Sequence, residues 1–265
     1  MQHIVITGGS GRIATALRSR IVRERRSTLL VDIRYPDPAP VDAHGETALL
    51  AGIEDLPALT AAFQGAAAVI HLGGHPSERS WEEIVTTNIS GTRNVLEAAR
   101  RAGVPRVLLA SSIHAVGYYR TDELVDVPLP TPRPDSYYGV AKVAMEALGS
   151  LYADRFGMKV LSLRIANFAD RPTTHRGLSL WFSPDDFARA VEAFLEDTGI
   201  GHRIAWGVSR NSRGPLDPTS AAGFGFFAQD DAEPFAKDVP DHAEPWDELL
   251  AGGMLAPGRE LGHPF

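Results

Sequence analysis

A glycine-rich turn, Thr7-Gly8-Gly9-Ser10-Gly11-Arg12-Ile13-Ala14, stands directly after the first short apolar run (residues 4–7) and before a stretch with helical spacing. That order constrains the fold more than any other feature. A strand feeding a helix through glycines opens a βαβ unit, in which the backbone can approach a pyrophosphate at the helix N-terminus. Ala14 takes the third small position, where helix and strand must pack closely. A purely structural turn has the same composition; its place after the first strand is what gives the motif weight.

The rest of the chain repeats the alternation. Residues 28–33, 67–72, 106–111 and 159–165 are continuously apolar rather than alternating, as strands buried on both faces of a parallel sheet are. Between the runs, 11–25, 55–64, 80–102 and 137–156 have helical spacing. Gly103-Val104-Pro105 and Gly157 are helix stops. Ser183-Pro184-Asp185-Asp186 reads as an N-cap with proline in the first turn, opening a helix to about Asp197, and 202–207 reads as a late strand. The expected fold is α/β, a doubly wound parallel sheet (Rossmann fold) over 1–209. After Ser209, Gly and Pro become frequent and Phe224, Phe226, Phe227, Phe235 and Trp246 cluster. These aromatics need burial, so 210–265 is expected to be a small C-terminal substrate lobe packed on the same domain.

Composition removes several classes of function. The formal net charge is −7, which disfavours nucleic acid and anionic membrane as partners. The absence of cysteine excludes disulfides, thiolate metal sites and a cysteine nucleophile. No clustered ligand spacing suggests a metal. No apolar run approaches the roughly 20 residues that span a bilayer. The opening residues lack a basic segment followed by a long apolar one, so the expected location is the cytoplasm.

Asp32 ends the second apolar run at about the spacing of an acid that binds adenosine ribose hydroxyls. A carboxylate there repels a 2′-phosphate, which points to NAD rather than NADP, although Arg12 and Arg34 lie near enough to hold such a phosphate. Tyr138-Gly139-Val140-Ala141-Lys142 places a phenol and an ammonium four residues apart on one helix face. An isolated tyrosine titrates near about 10, too high for a base at neutral pH. A neighbouring ammonium and a positive nicotinamide stabilise phenolate and lower that value, and the lysine can also hydrogen-bond the nicotinamide ribose.

Together, Thr7-Gly8, Gly11, Ala14, Asp32, Asn88-Ile89-Ser90-Gly91-Thr92, Ser112 and Tyr138 with Lys142 resemble the extended short-chain dehydrogenase/reductases, the NAD-dependent epimerase/dehydratase family, over about residues 3–210. His71-Leu72-Gly73-Gly74, Ser112-Ile113-His114, Arg133-Pro134-Asp135-Ser136-Tyr137-Tyr138-Gly139, Ser179-Leu180-Trp181-Phe182-Ser183 and Phe227-Ala228-Gln229-Asp230 look like the uronate dehydrogenases. Those enzymes oxidise the anomeric hydroxyl of glucuronate or galacturonate and pass hydride to NAD.

The resemblance implies Ser112, Tyr138 and Lys142 as the catalytic set. It implies a cofactor site of Gly8, Ser10, Gly11, Arg12, Ile13, Asp32, Ile33, Ile53, Leu72, Gly73, Gly74, Asn88, Ser111, Tyr138, Lys142 and Ile165. The implied substrate contacts are His75, Ser77, Ser112, Ile113, His114, Tyr138, Asn167 and Arg176, with Arg176 as the fork for the sugar carboxylate. It also implies a homo-oligomer built through the 80–102 and 137–156 helices. Three positions depart from the pattern. Ile113 stands where the family has asparagine, Pro76 replaces a loop serine (with Ser77 beside it), and Asn167 replaces a serine three residues after Arg164. Two lost polar contacts beside a retained Arg176 point to an altered sugar or another polyhydroxylated acid.

The leading expectation is an NAD-dependent oxidoreductase taking hydride from a hydroxyl of a sugar acid, a small-molecule substrate, with Tyr138 as base. A sugar or nucleotide-sugar epimerase or dehydratase with retained NAD is the second reading, and a non-catalytic dinucleotide sensor with a protein partner the third. Retention of both Tyr138 and Lys142 argues against the sensor.

Overall fold

A computed structural model describes residues 2–21, 26–40, 45–125, 127, 129–240 and 242–264. Nine strands are present among them: β1 (Gln2–Thr7), β2 (Arg26–Asp32), β3 (Glu46–Leu50), β4 (Ala68–His71), β5 (Arg106–Ser112), β6 (Lys159–Ile165), β7 (Asn167–Phe168), β8 (Trp181–Phe182) and β9 (His202–Gly207). Seven form one parallel sheet in the order β3-β2-β1-β4-β5-β6-β9, and β7 pairs with β8. The order turns back on itself between β1 and β4. In an open parallel sheet that switch point leaves a crevice beyond the carboxyl ends of the two strands, and ligands bind there.

The helices are α1 (Arg12–Arg18), α2 (Leu56–Ala62), α3 (Trp81–Glu83), α4 (Gly91–Arg101), α5 (Tyr137–Phe156), α6 (His175–Leu180) and α7 (Pro184–Glu196). They cover both faces of the sheet. Ala14 and Leu17 of α1 join Phe187, Val191 and Phe194 of α7 against Ile4, Ile6, Leu108 and Leu163. On the other face Leu59, Val95, Leu96, Met145 and Tyr152 pack on Val5, Val69, Val107 and Leu109. Both sides of β1, β4 and β5 are thus buried, which is why these strands read as unbroken apolar runs.

Capping follows the sequence signals. Ser183 accepts the N–H of Asp186, with Pro184 in the first turn of α7. Gly157 ends α5 in the left-handed region at φ 68°. Between α3 and α4 the backbone widens into a π-helix over Ile84–Ser90, a form concentrated at functional sites, and Asn88 lies on it.

Several boundaries differ from the sequence expectation. β3 is a strand beyond those expected, an edge strand with Thr47, Leu49 and Leu50 exposed. The first helix stops at Arg18, and residues 22–25 of its expected span lie outside the described residues. Ile33 falls beyond β2 and is 75% exposed, being placed against the crevice rather than in the core.

Residues 210–264 form turns and short 3₁₀ segments. Phe224 and Phe226 join the core under α7, Phe235 meets Trp181 edge-on at 5.5 Å, and the stretch 248–251 runs along 117–121 through Thr121, Tyr119 and Gly117. Phe227 departs from the expected burial and is 65% exposed. No helix among the described residues is long and apolar enough to cross a membrane.

Candidate active site

The turn after β1 leaves no room for side chains. Gly8 sits at φ 71°, and a Cβ there would lie 2.7 Å from the backbone nitrogen of Gly73. A Cβ on Gly9 would meet that of Leu30 at 2.7 Å. The loops after β1 and β4 therefore touch through backbone. They open a groove of about 590 Å³ lined by Gly8, Gly11, Arg12, Ile13, Asp32, Ile33, Arg34, Ile53, Leu72, Gly73, Gly74 and His75. First-turn N–H groups of α1, which have no acceptor within the helix, begin at its edge.

Asp32 stands at the rim with both oxygens oriented, Oδ2 accepting the N–H of Ser10 (3.0 Å) and Oδ1 that of Arg34 (3.1 Å). Its charge opposes a phosphate. Arg12 leans over the Phe168 ring, 5.8 Å from its centroid, and Arg34 lines the groove. The close-approach glycines and the rim carboxylate fit a dinucleotide with a free 2′-hydroxyl, which is NAD.

A buried chain of hydrogen bonds ties the two loops together. The Thr92 hydroxyl donates to the Asn88 carbonyl (2.6 Å), so it accepts from Nε2 of His71 (3.2 Å). Nδ1 of His71 then accepts from Thr7 (2.7 Å). Burial, helped by the charge of Lys142, pushes His71 down to about 3, so it stays neutral. The Asn88 side chain holds the His75 backbone from both sides, at 2.9 and 3.0 Å. Asn88, expected at the cofactor, fixes the loop beside the groove through both its amide atoms.

The groove continues into a pocket of about 250 Å³ lined by Leu72, Gly73, Gly74, His75, Pro76, Ser111, Ser112, Ile113, His114, Tyr138, Lys142, Ile165, Asn167 and Arg176. β5 delivers Ser112, α5 delivers Tyr138 and Lys142, and α6 delivers Arg176. Arg12 and Ile13 also line it, so the structure gathers residues as much as 164 positions apart in sequence, from Arg12 to Arg176. Ser77 is not among the lining residues, since the chain turns inward at Glu78. Ser111 lines the pocket, and its hydroxyl donates to Glu146 (2.7 Å). Ile113, 3% exposed, turns into an apolar cluster with Val116, Leu180 and Trp206.

Burial pushes the Tyr138 phenol up to about 12, against a hydrogen bond from Ser112 that pulls it down, while Asp135 pushes it further up. Burial lowers Lys142 to about 8, and the charge of Glu146 opposes the fall. The ammonium donates to the Ala110 carbonyl (2.7 Å) and lies 5.1 Å from the centre of the Tyr138 ring. The sequence reading assigned the lowering to the ammonium and the positive nicotinamide together; among the chain's own groups desolvation is the larger effect, and the phenol is raised. A positive charge against the phenol would pull it back, and the cofactor that fits the groove carries one on its nicotinamide.

His114 bonds Asp135 through Nδ1 (2.7 Å) and meets the Tyr138 ring edge-on at 5.7 Å. Arg176 is largely buried, and one of its terminal nitrogens donates to the Leu250 carbonyl. Its buried Nε has no hydrogen-bond partner among the described residues. Burial holds its pKa below the usual arginine value, yet guanidinium stays charged. A buried cation with an unpaired donor suits a carboxylate.

Sequence reasoning missed three residues. Asp135 had a weak signal, an Asp-Ser pair before a helix. Glu146 and Glu78 had none, since their partners lie on distant segments: Arg164 for Glu146, and Tyr137, Tyr138 and Gly262 for Glu78.

The family model of the NAD dependent epimerase/dehydratase family matches residues 4–177. A uronate dehydrogenase of Pseudomonas putida is 36% identical over 243 residues, 92% of this chain and 90% of that one. The glucuronic acid dehydrogenase from Chromohalobacter salexigens superposes with a TM-score of 0.88 at 30% identity, covering 97% of this chain and 98% of that one. A mutant uronate dehydrogenase from Agrobacterium tumefaciens, complexed with NAD, gives 0.87 at 32% identity over 95% and 96%.

Proposed function

The chain belongs to the NAD-dependent epimerase/dehydratase family, and on that premise we propose that it is an NAD-dependent dehydrogenase of sugar acids, oxidising a ring hydroxyl of a uronate or a close relative. The observation that carries the reading is the largely buried guanidinium of Arg176 lining the same pocket as Ser112 and Tyr138. A neutral sugar would leave the buried positive charge uncompensated, whereas a carboxylate pairs with it. The relatives described above are dehydrogenases, which sets the epimerase and sensor readings aside.

In the proposed reaction Arg176 holds the carboxylate and His114 and Asn167 face the ring hydroxyls. Ser112 orients the reacting hydroxyl, and Tyr138 takes its proton. Lys142 keeps its charge beside the Tyr138 ring, favouring phenolate. Bound NAD would supply the hydride acceptor for the carbon bearing that hydroxyl, and Asp32, Gly8, Gly11 and Gly73 would hold the dinucleotide. Oxidation at the anomeric carbon of a ring form yields a lactone. Residues 210–264 belong to the substrate side of this arrangement, since Leu250 and Gly252 meet Arg176. The expected assembly is a homo-oligomer through α4 and α5, where Leu151 and Phe156 are about half exposed.

The test is NADH formation with glucuronate, galacturonate and their neutral aldose counterparts. Uronate oxidation well above that of the matched aldose is expected. Equal rates on both, or none on any uronate, would overturn the substrate class.

A further inference from the structure

The loop leaving β4 carries a buried carboxylate that the reaction above does not use. Glu78 is 1% exposed. Its Oε2 accepts the backbone N–H of Tyr138 (2.8 Å), and its Oε1 accepts those of Tyr137 (3.2 Å) and Gly262 (3.0 Å). Tyr137 and Tyr138 open α5, so their N–H groups have no acceptor within the helix. Ser136 takes the next one, Gly139, at 2.9 Å. Glu78 thus completes the N-terminal cap of the helix that bears Tyr138, from a different loop. A carboxylate is favoured there by the helix dipole as well.

Three segments meet at this one side chain. The loop of Glu78 lines the pocket through His75 and Pro76, and its start is clamped by Asn88. The chain at Gly262 rests on Tyr137, where a Cβ would stand 3.6 Å from the ring. Met254 packs with Ile84, Tyr138 and Ala141. Trp81 meets Tyr137 edge-on at 5.2 Å.

We propose that Glu78 is a positioning residue for Tyr138: a latch that holds the first turn of α5, the pocket loop and the segment at Gly262 in one register. The inference rests on the proposed reaction only for the role of Tyr138 as base. A base displaced by about 1 Å loses on the order of a hundredfold in rate. Glutamine in place of Glu78 supplies one acceptor oxygen, so either Tyr138 or the Tyr137 and Gly262 pair faces an amide NH₂ group.

Glu78→Gln and Glu78→Asp in the full chain test this, read by hydrogen–deuterium exchange of the peptides covering 136–142 and 255–264 and by kinetics with uronate deuterated at the reacting carbon. In Glu78→Gln, exchange should rise in both peptides together. The rate kcat should fall at least about tenfold with KM within about threefold, and the primary isotope effect on kcat should grow as the chemical step becomes limiting. Glu78→Asp should restore part of kcat. A loss of kcat with an unchanged isotope effect, or exchange confined to one peptide, would overturn the latch. If the wild-type chain oxidises no uronate, that result goes against the substrate, and exchange, which needs none, still decides the latch.

Discussion

Nδ1 of His114 lies 2.7 Å from Oδ2 of Asp135, whose side chain has no solvent exposure and whose other oxygen accepts the Ser136 hydroxyl (2.6 Å). The packing is tight enough that a Cβ on Gly117 would stand 1.6 Å from the same Oδ2. A carboxylate only accepts, so Nδ1 donates and, in the neutral ring, Nε2 is an acceptor on the pocket side.

Asp135→Asn should therefore act through the tautomer. The amide NH₂ can donate to Nδ1, which moves the ring proton to Nε2 and presents a donor where the substrate hydroxyl met an acceptor. We expect kcat/KM for the sugar to fall about 10- to 100-fold, the range for a partner that orients a functional histidine, with NAD affinity within about threefold. Steady-state kinetics and a NAD titration check this. An equal loss in both would mean that the mutation disturbs the fold instead.

Lys142 gives a stability prediction with a defined sign. Burial lowers its pKa from 10.5 to about 8, so the folded state binds its proton less tightly than the unfolded chain does. The penalty is complete below about pH 8 and fades as pH rises toward 10.5. Lys142→Met removes the buried charge. It should raise Tm at pH 7 while abolishing oxidation, and its advantage over wild type should shrink between pH 8 and 10.5. The opposite trend would mean that the hydrogen bond to Ala110 outweighs desolvation.

Tyr138 is the group whose ionisation should govern the oxidation rate. Burial holds it near 12 and the positive nicotinamide lowers it, so wild-type oxidation should rise with pH. Tyr138→Phe should lose about 10³-fold in kcat and flatten that rise. A pH profile of kcat for both forms is the measurement. A variant that keeps the wild-type pH dependence would assign the proton to another group.

Local chemistry made much of this legible in sequence. The glycine turn, the run to Asp32, the Ser183 cap and the Tyr138–Lys142 spacing each depend on residues within a few positions of one another, and the parallel sheet follows from apolar runs buried on both faces. β3 was hidden because an edge strand leaves its outer residues in water. The direction of the Tyr138 shift was hidden because desolvation depends on total burial, not on which residue stands four places on. The bond from the Ser111 hydroxyl to Glu146 was hidden because the two stand thirty-five residues apart. Glu78 is the extreme case, since its partners are 59, 60 and 184 residues distant.

Arg176 decides selectivity within the proposed substrate class. Its guanidinium is held against Leu250 and Gly252, where a Cβ would stand 2.4 Å from Nε, so its position is fixed before substrate arrives. Preorganisation of that kind makes the carboxylate contact strong and the cost of losing it large. Arg176→Ala should lower kcat/KM for a uronate at least about 100-fold, since a buried charge pair missing one partner costs roughly 3–5 kcal/mol. For the matching neutral aldose the change should be within about tenfold, because no carboxylate is lost there. The ratio of the two specificities, taken with NAD saturating, isolates the contact from any general loosening of the pocket. A parallel fall on both sugars would instead make Arg176 a structural tie to the 248–252 segment.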